Sequence, residues 1–486
     1  MSDIDDISSP SPARRIAGFV LGLAAFFAVL LAPPFTPEPE AQKVAAVTLL
    51  MAIWWISEAA PLAATALVPL VLFPILDVAG MQAAAAPYAD PVIFLFLGGF
   101  ILGAAMERSN LHKRAGLACV GAIGTTPRRL LGGVMIATAL ISMWVSNTAT
   151  TAMMLPVAAA VLAFVESRGE ALDPVSRRNL GAGLMLGVAY ASSVGGLATL
   201  IGSPPNALLA GYMAREHGIE VGFAQWMLVA TPISVVLLAA AWAILARLHP
   251  VRAALPDAAG MLAEERASLG RMSRAEWRVA AIFAATALAW ITRPLFQDLA
   301  PGLSDAGIAV TAALILFLTP SGSGTGTGLV ELSDLKRVPW DVLLLFGGGL
   351  SMAAAISSSG LAAYLGGLLH AAHAMPVVLM VVVLTAAMIF VTELTSNTAS
   401  AATFLPIGGA LALSMGADPL AFGVPLALAA TCAFMLPVAT PPNAIVYGSG
   451  RIALGQMMRA GLWLNLAAII VISAAALGIA PAVFGR

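Results

Sequence analysis

The chain has 486 residues, of which 60% are hydrophobic and only 10% are charged, and its formal net charge at pH 7 is −1. This composition excludes a soluble globular protein, because no single core needs so much apolar surface and several apolar runs approach or exceed the ~20 residues that span a bilayer. Aromatic residues are sparse whereas Gly and Pro are abundant, which favours packed or interrupted membrane helices over a β-barrel.

The chain begins with a polar segment, "MSDIDDISSPSPA", which two arginines follow. We predict that residues 1–14 form a disordered cytoplasmic N-terminus. The apolar run after the arginines lacks a convincing small-residue cleavage site, so we interpret it as a retained first membrane span and not as a removed signal peptide.

The apolar segments predict an all-α polytopic membrane protein with about 11 transmembrane helices and two re-entrant helical hairpins. Each re-entrant hairpin, at 128–166 and 375–415, enters the membrane and returns on the same side. In chain order, the predicted crossings are 16–33, 43–59, 60–78, 91–107, 178–214, 225–247, 275–293, 304–319, 340–358, 420–449 and 457–482.

The positive charges support this map. With the N-terminus inside and the C-terminus outside, only Lys43, Arg215, Arg293 and Arg486 of the 24 Lys and Arg residues fall outside. Cytoplasmic loops of membrane proteins carry such an excess of Lys and Arg. If either hairpin crossed the membrane fully, every later segment would invert and the bias would be lost. We therefore predict a cytoplasmic N-terminus and an extracytoplasmic C-terminus in a bacterial inner membrane.

The two halves of the chain resemble each other in order, and a cytoplasmic linker at 251–274 separates them. The first predicted repeat, 15–250, contains scaffold helices at 15–107, the hairpin at 128–166 and a broken helix at 178–214. The second, 275–486, contains the hairpin at 375–415 and a broken helix at 420–449. An odd number of crossings separates the copies, so they have opposite topology, which is typical of transporters that bind substrate at the repeat interface.

Each predicted hairpin carries Ser-Asn-Thr inside an apolar stretch: "VSNTATTAMMLP" at 145–156 and "TSNTASAATFLP" at 395–406. Ser, Asn and Thr favour the start of a helix, because their side chains satisfy backbone N–H groups that have no helical partner there. The tip of the hairpin therefore presents the positive dipole end of its second helix together with short polar side chains. This pattern predicts an anion site without a cationic side chain.

Each predicted broken helix carries Pro-Pro-Asn: "IGSPPNALLAGY" at 201–212 and "VATPPNAIVYGS" at 438–449. Proline cannot donate to the helical hydrogen-bond ladder, and the residue before it is pushed out of the α region. The break leaves carbonyl groups at membrane depth, which are tolerated only where they line a cavity or are otherwise satisfied. Carbonyl, Ser, Thr and Asn oxygens are hard ligands suited to Na⁺, so the breaks predict sodium sites beside the anion site.

These motifs, together with "WWISEAAPLAATALVPLVLFPIL" at 54–76, "VAYASSVGG" at 188–196 and "FMLPVATPPNAIVYGSG" at 434–450, resemble the divalent anion/sodium symporter (DASS) family. Its members include sodium-coupled dicarboxylate, citrate and sulfate carriers. The resemblance covers nearly the whole chain from Arg15 onward. It implies a homodimer of elevator type, in which a scaffold domain holds the interface while a transport domain moves as a rigid body.

The resemblance also implies residue roles, with Ser203 standing where the family often has Thr. It implies that the substrate carboxylates meet Ser146, Asn147, Thr148, Ser203, Pro204, Ser396, Asn397, Thr398, Thr440 and Pro441. It implies a first sodium site at Ser142, Ser146, Asn147 and Gly202, with Gly195 and Gly196 in the neighbouring segment. It implies a second sodium site at Thr392, Ser396, Asn397 and Ala439.

Neither implied substrate shell contains Arg or Lys, so a dianion would be held by neutral dipoles in a partly desolvated pocket, which is costly. Nearby Na⁺ offsets that cost, since one Na⁺–carboxylate attraction at ~5 Å and an effective dielectric of ~20 is worth about 3 kcal/mol. We therefore expect Na⁺-coupled symport of C4-dicarboxylates (succinate, malate, fumarate), with at least two sodium ions. Glu393, beside the second sodium site, has two open roles: packing of the hairpin or tuning of that site.

Other functions are weighed against symport. A Na⁺-independent dicarboxylate exchanger, or a family member specific for citrate or sulfate, would use the same motifs. A membrane enzyme would need paired carboxylates, a Ser/His dyad or metal-ligand spacing inside the spans, and none converges, so no enzymatic activity is expected. A channel usually relies on repeated subunits or charged rings. The expected partners are a small dianion, sodium ions, membrane lipid and a second copy of the chain, and no nucleic acid.

Overall fold

A computed structural model of the protein describes residues 12–36, 38–123, 126–167, 173–251, 267, 269–296, 298–322, 328–368 and 375–485. The first helix begins at Pro12, which corrects the predicted disordered segment, because residues 12–14 are already helical. Proline suits the first turn of a helix, where its missing N–H has no partner to lose. The rest of that segment, and residues 252–266 of the predicted linker, lie outside the described residues.

The described part of the first half contains twelve α-helices. They are α1 (Pro12–Leu31), α2 (Pro39–Ser57), α3 (Leu62–Thr65), α4 (Val68–Ile75), α5 (Met81–Ala85), α6 (Pro91–Arg108), α7 (Leu111–Ile123), α8 (Pro127–Ser142), α9 (Asn147–Ser167), α10 (Pro174–Leu197), α11 (Pro204–His217) and α12 (Phe223–Leu248).

The described part of the second half contains nine more. They are α13 (Arg274–Thr292), α14 (Asp305–Leu318), α15 (Trp340–Ser358), α16 (Leu361–Leu368), α17 (Val377–Thr392), α18 (Asn397–Ser414), α19 (Pro419–Ala430), α20 (Pro441–Gly448) and α21 (Leu454–Phe484).

Six helical segments of the described chain are long and apolar enough to cross a bilayer: Pro12–Leu31, Met81–Arg108, Pro174–Leu197, Phe223–Leu248, Trp340–Ser358 and Leu454–Phe484. Shorter apolar helices stand at Leu62–Ile75, Asn147–Ala163, Asp305–Leu318, Val377–Thr392 and Pro419–Ala430. The short segments arise mainly where tips and breaks divide longer apolar stretches. The architecture is therefore an all-helical polytopic membrane fold, and the count of about 11 crossings stays a prediction.

Four helix pairs build the centre of the molecule. Hairpin 1 is α8 and α9 with tip 1 at residues 143–146, and hairpin 2 is α17 and α18 with tip 2 at residues 393–396. Break 1, residues 198–203, separates α10 from α11, and break 2, residues 431–440, separates α19 from α20. In both breaks the next helix resumes at the first proline of Pro-Pro-Asn, as expected from the fixed φ of proline.

The breaks lie in the most buried helices. The apolar window of α10 is 100% buried, whereas that of α1 is 17% buried and that of α21 is 33% buried. Gly, Ala and Ser dominate the buried residues of α10, and such small side chains let membrane helices approach closely. The helices that lead into the breaks, α10 and α19, therefore lie inside the bundle, whereas α1, α12 and α21 expose apolar faces that suit lipid.

Candidate functional site

Tip 1 is held against α10 and break 1 by a cluster of oxygen atoms. Ser142 Oγ donates to Ser192 O at 2.6 Å and lies 2.8 Å from Asn147 Oδ1. That end of the Asn147 amide also lies 3.0 Å from Ser192 O and 3.3 Å from Gly202 O. A side chain hydroxyl, an amide and two backbone carbonyls therefore converge where hairpin 1 meets break 1.

Two orientations of the Asn147 amide fit this cluster. With its oxygen inward, oxygens face only oxygens, which is favourable only with a hard cation between them. Rotated by 180°, its NH₂ group donates to Ser142 Oγ, Ser192 O and Gly202 O, which is favoured when no cation lies there. The donor set consists of neutral oxygens at a helix interruption and so fits Na⁺.

Tip 2 repeats part of this geometry with different residues. Thr392 Oγ1 lies 2.8 Å from Asn397 Oδ1 and donates to Ala430 O at 2.9 Å. Ser142 and Thr392 are each the last residue of the first hairpin helix, and both are fully buried. The hydroxyl, the amide and a carbonyl of the broken helix are thus brought together in both halves.

The asparagines of the two Pro-Pro-Asn motifs hold the breaks in shape. Asn206 Nδ2 donates to Gly196 O at 3.0 Å, Leu197 O at 3.3 Å and Thr199 O at 2.8 Å. This amide satisfies carbonyl groups that the interrupted helix leaves without helical donors, as membrane depth requires.

Asn443 does the same in the second half, where its Nδ2 donates to Ala433 O and Leu436 O, both at 3.0 Å. Both asparagines are 0% exposed. Their Oδ1 atoms have no hydrogen-bond partner within the described ranges.

Two glycines allow hairpin 1 to lie directly on α10. A Cβ atom at Gly195 would overlap the backbone of Ala139 in α8, and a Cβ atom at Gly196 would overlap the side chain of Asn147. Only glycine permits such a close approach of backbone to a neighbouring element. These positions were expected in the segment neighbouring the first sodium site, and the structure places them against the tip.

The two halves meet at the breaks. Ser203 Oγ in break 1 lies 2.7 Å from Thr431 Oγ1 in break 2. Each hairpin also packs against the opposite broken helix, with α9 against α20 and α18 against α11. The breaks therefore lie side by side, and each hairpin contacts both halves.

The residues predicted to bind substrate differ in their surroundings. Ser146, Asn147, Pro204, Ser396 and Asn397 are half-buried, Thr148 and Pro441 are exposed, and Ser203, Thr398 and Thr440 are buried. Two of them cap helices, since Ser146 Oγ accepts from Ala149 N and Thr440 Oγ1 accepts from Asn443 N, both at 3.3 Å.

Ser396 is the N-cap residue of α18 but makes no capping bond with its side chain. No Lys or Arg side chain takes part in the two oxygen clusters as described, although Arg14, which is exposed, donates to Leu394 O of tip 2 at 3.4 Å. The roles of the ten predicted substrate residues, and of Ala439 in the second sodium site, stay predictions.

Sequence reasoning missed several residues that shape the site: Ser192, Thr199, Asn206, Thr431 and Asn443. Asn206 and Asn443 belong to the two Pro-Pro-Asn motifs. Because a helix break leaves carbonyl groups without helical donors, an amide in the same motif could have been predicted to donate to them. Ser192 lies in the quoted stretch 188–196, but its carbonyl carries no signal in the sequence. Thr431 could not have been found, because its contact with Ser203 joins residues 228 positions apart.

Comparisons with known proteins agree with this architecture. The family model described as "Sodium:sulfate symporter transmembrane region" matches residues 13–480. The Sodium-dependent dicarboxylate transporter SdcS of Staphylococcus saprophyticus is 39% identical over 482 residues, which are 97% of this chain and 92% of that protein. SdcS of Staphylococcus aureus strain USA300 is also 39% identical, over 98% of this chain and 93% of its own.

Two solved structures share the fold at low identity. The Alcanivorax borkumensis YdaH transporter has a TM-score of 0.54 at 16% identity, over 89% of this chain and 98% of that chain. MtrF of Neisseria gonorrhoeae has a TM-score of 0.55 at 13% identity, over 92% of this chain and 97% of that chain. At such identities the likeness is to the fold alone; the first structure is described as a transporter, and the second as representing a class of antimetabolite efflux pumps.

Proposed function

This chain belongs to the family of the sodium:sulfate symporter transmembrane region, and on that premise we propose that it carries C4-dicarboxylate dianions, such as succinate, malate and fumarate, into the cell together with Na⁺. Membership confirms the resemblance that the Ser-Asn-Thr and Pro-Pro-Asn motifs predicted. The observation that carries the proposal is 39% identity, along nearly the whole chain, to proteins named sodium-dependent dicarboxylate transporters.

The oxygen clusters at the tips support coupling to sodium. Ser142, Asn147, Ser192 and Gly202 offer neutral oxygens in the first half, and Thr392, Asn397 and Ala430 offer them in the second. Sodium would supply positive charge in these two clusters, whose described bonds join only hydroxyl, amide and carbonyl groups. On this proposal at least two sodium ions accompany each dianion.

The first turns of α9 and α18 support the anion site. Each of these helices begins at the Asn of Ser-Asn-Thr, so its backbone N–H groups and dipole end point out of the tip. The half-buried Ser146 and Ser396 flank those N–H groups. We assign one carboxylate of the substrate to each tip, which favours a linear dicarboxylate over a single compact anion.

The remaining features of the proposal concern movement and assembly. Two hairpins that each pack against a helix of the opposite half would move together with the broken helices as one body, which fits an elevator mechanism. The exposed apolar faces of α1, α12 and α21 are suited to contact lipid or a second copy of the chain. We place the N-terminus in the cytoplasm and the C-terminus outside, on the distribution of Lys and Arg.

Uptake of labelled succinate into proteoliposomes tests the proposed function. We expect saturable uptake that depends on an inward Na⁺ gradient, is competed by malate and fumarate, and falls to background when choline replaces Na⁺. If uptake without Na⁺ is undiminished and requires dicarboxylate inside the proteoliposomes, the protein is an exchanger and not a symporter. Strong competition by citrate or sulfate, with weak uptake of succinate, would move the substrate to another anion of the family.

A further inference from the structure

Glu393 is a buried carboxyl group to which the proposed function assigns no role. It is the first residue of tip 2 and is 4% exposed. Its Oε1 accepts hydrogen bonds from Phe434 N at 2.7 Å and Met435 N at 2.9 Å, and its Oε2 accepts from Met435 N at 3.1 Å and Leu436 N at 3.0 Å. One side chain therefore holds three consecutive backbone N–H groups of break 2.

The hydrogen-bond pattern indicates that this carboxyl group is ionised. Asn465 Nδ2, on α21, also donates to Oε1, at 2.8 Å. All of these partners are N–H donors, so a proton on either oxygen would find no acceptor among them. Within the described residues, no Lys, Arg or His forms an ion pair with Glu393. A buried charge that is held only by neutral donors is costly unless a cation lies nearby. Arg14 reaches tip 2 from an exposed position, where it donates to Leu394 O at 3.4 Å, so it leaves the buried oxygen cluster without a positive charge of its own.

Glu393 is next to the second oxygen cluster along the chain. Glu393 directly follows Thr392, whose hydroxyl contacts Asn397 Oδ1 and Ala430 O. The loop that Glu393 holds by its N–H groups is held from its carbonyl side by Asn443, through Ala433 O and Leu436 O. This doubly held loop leads, three residues later, to Ala439.

The first half has no such charge at the equivalent position. Met143 is the first residue of tip 1, and its backbone carbonyl accepts a hydrogen bond from Thr199 Oγ1 in break 1. Gly202 N in turn donates to Thr199 Oγ1 at 3.1 Å. A neutral hydroxyl thus joins tip 1 to break 1, whereas a carboxylate joins tip 2 to break 2.

We infer that Glu393 is a positioning residue for the second sodium site, and that its negative charge makes this site bind Na⁺ more tightly than the first. The carboxylate holds break 2 against tip 2 and supplies the formal charge that the neutral oxygen cluster lacks. This inference rests on the proposed function. It ranks the two sodium sites by affinity, with the second site binding Na⁺ more tightly than the first.

The test compares Glu393→Gln with the wild-type protein by two measurements. The first is the Na⁺ concentration at half-maximal thermal stabilisation of the purified protein in detergent, with choline keeping the ionic strength constant. The second is the Na⁺ dependence of succinate uptake. We expect half-saturation to rise about tenfold or more, because one charge at ~10 Å and an effective dielectric of ~20 changes cation affinity by about that factor. The KM for succinate at saturating Na⁺ should stay within about twofold.

A control variant separates the charge from the mere packing of the loop. Asn465→Leu removes one donor but keeps the carboxylate. It should shift Na⁺ half-saturation by less than about threefold. If Glu393→Gln yields no folded protein, Glu393→Asp takes its place. The shorter side chain keeps the negative charge but moves it away from the loop. The Na⁺ concentration at half-saturation should therefore rise about threefold, and less than about tenfold.

An unchanged half-saturation in Glu393→Gln, or in Glu393→Asp where that variant is the one tested, overturns the inference. Equal shifts in Glu393→Gln and Asn465→Leu would also overturn it, because loop packing alone would then explain both. Failure of the proposed function looks different: wild-type protein would be stabilised by Na⁺ in detergent and yet take up no succinate.

Discussion

The two halves of this protein reach the same local geometry by different means. In both, the last residue of the first hairpin helix places a hydroxyl 2.8 Å from the Asn of Ser-Asn-Thr and donates to a carbonyl of the adjacent broken helix. The next residue contacts the break differently in the two halves. The carbonyl of Met143 accepts a hydrogen bond from the Thr199 hydroxyl, whereas the carboxylate of Glu393 accepts from three backbone N–H groups. The ligand-like oxygens are therefore repeated in the two halves, whereas the groups that support them differ.

The strongest loss of activity is expected from the asparagines of the two oxygen clusters. Asn147→Ala and Asn397→Ala each remove an amide oxygen from one cluster, and a contact to a charged group is worth about 2 kcal/mol, or about thirtyfold. Each variant should therefore reduce Na⁺-dependent succinate uptake in proteoliposomes to background. Wild-type rates in both variants would contradict the assignment of the two tips as sodium sites. A loss in only one variant would show that the two halves differ in function as well as in the groups that hold their tips.

The next effect depends on a position where the halves differ by a methyl group. Asn206 donates to Gly196 O and Asn443 donates to Ala433 O, so Gly196 and Ala433 correspond. Gly196→Ala would place a Cβ on the Asn147 side chain, and such overpacking costs about 1–3 kcal/mol.

We therefore expect Gly196→Ala to lose most of its Na⁺-dependent uptake while the protein still folds, as measured by size-exclusion chromatography and transport. Ala433→Gly is the matched control and should keep most of its activity, because it adds no atom. Normal uptake by Gly196→Ala would show that tip 1 does not need this close contact.

A third experiment compares the asparagines of the breaks. Asn206→Leu leaves three carbonyls without their side-chain donor and Asn443→Leu leaves two, and each unsatisfied group costs about 1–3 kcal/mol. Both variants should lower the thermal midpoint in detergent by several degrees, Asn206→Leu more than Asn443→Leu. Asn179→Ala is the control, since its amide donates to Pro250 O at an exposed position; an equal drop there would argue against the special role of the breaks.

The smallest expected effect concerns the contact that joins the halves. Ser203→Ala, Thr431→Val and the double variant form a cycle around the 2.7 Å hydroxyl pair, and a neutral hydrogen bond contributes about 0.5–1.5 kcal/mol. The cycle should give a coupling energy of that size in thermal or denaturant unfolding. A coupling energy of zero would mean that the two breaks are joined by packing alone.

Local signals predict the helix bounds of the centre to within a few residues. The sequence predicts hairpin 1 at 128–166, where helices run over Pro127–Ser142 and Asn147–Ser167, and a broken helix at 178–214, where helices run over Pro174–Leu197 and Pro204–His217. That hairpin 1 is re-entrant stays a prediction. Proline and the Ser-Asn-Thr cap act on their own neighbours in the chain, so their effects can be read locally. The division into repeats and the number of crossings stay predictions, because both depend on the position of the bilayer.

Hydropathy, helix capping and proline stereochemistry act over a few residues, so the amino-acid pattern alone predicts a membrane protein with two tips and two helix breaks. The groups that complete those breaks depend on how distant parts of the chain pack together. Asn206 and Asn443 donate to carbonyl groups of the breaks, and Ser203 is hydrogen-bonded to Thr431. Glu393 accepts from the N–H groups of residues 434–436. These contacts join residues from 7 to 228 positions apart, and their partners are often backbone atoms, which every residue carries and no sequence pattern distinguishes.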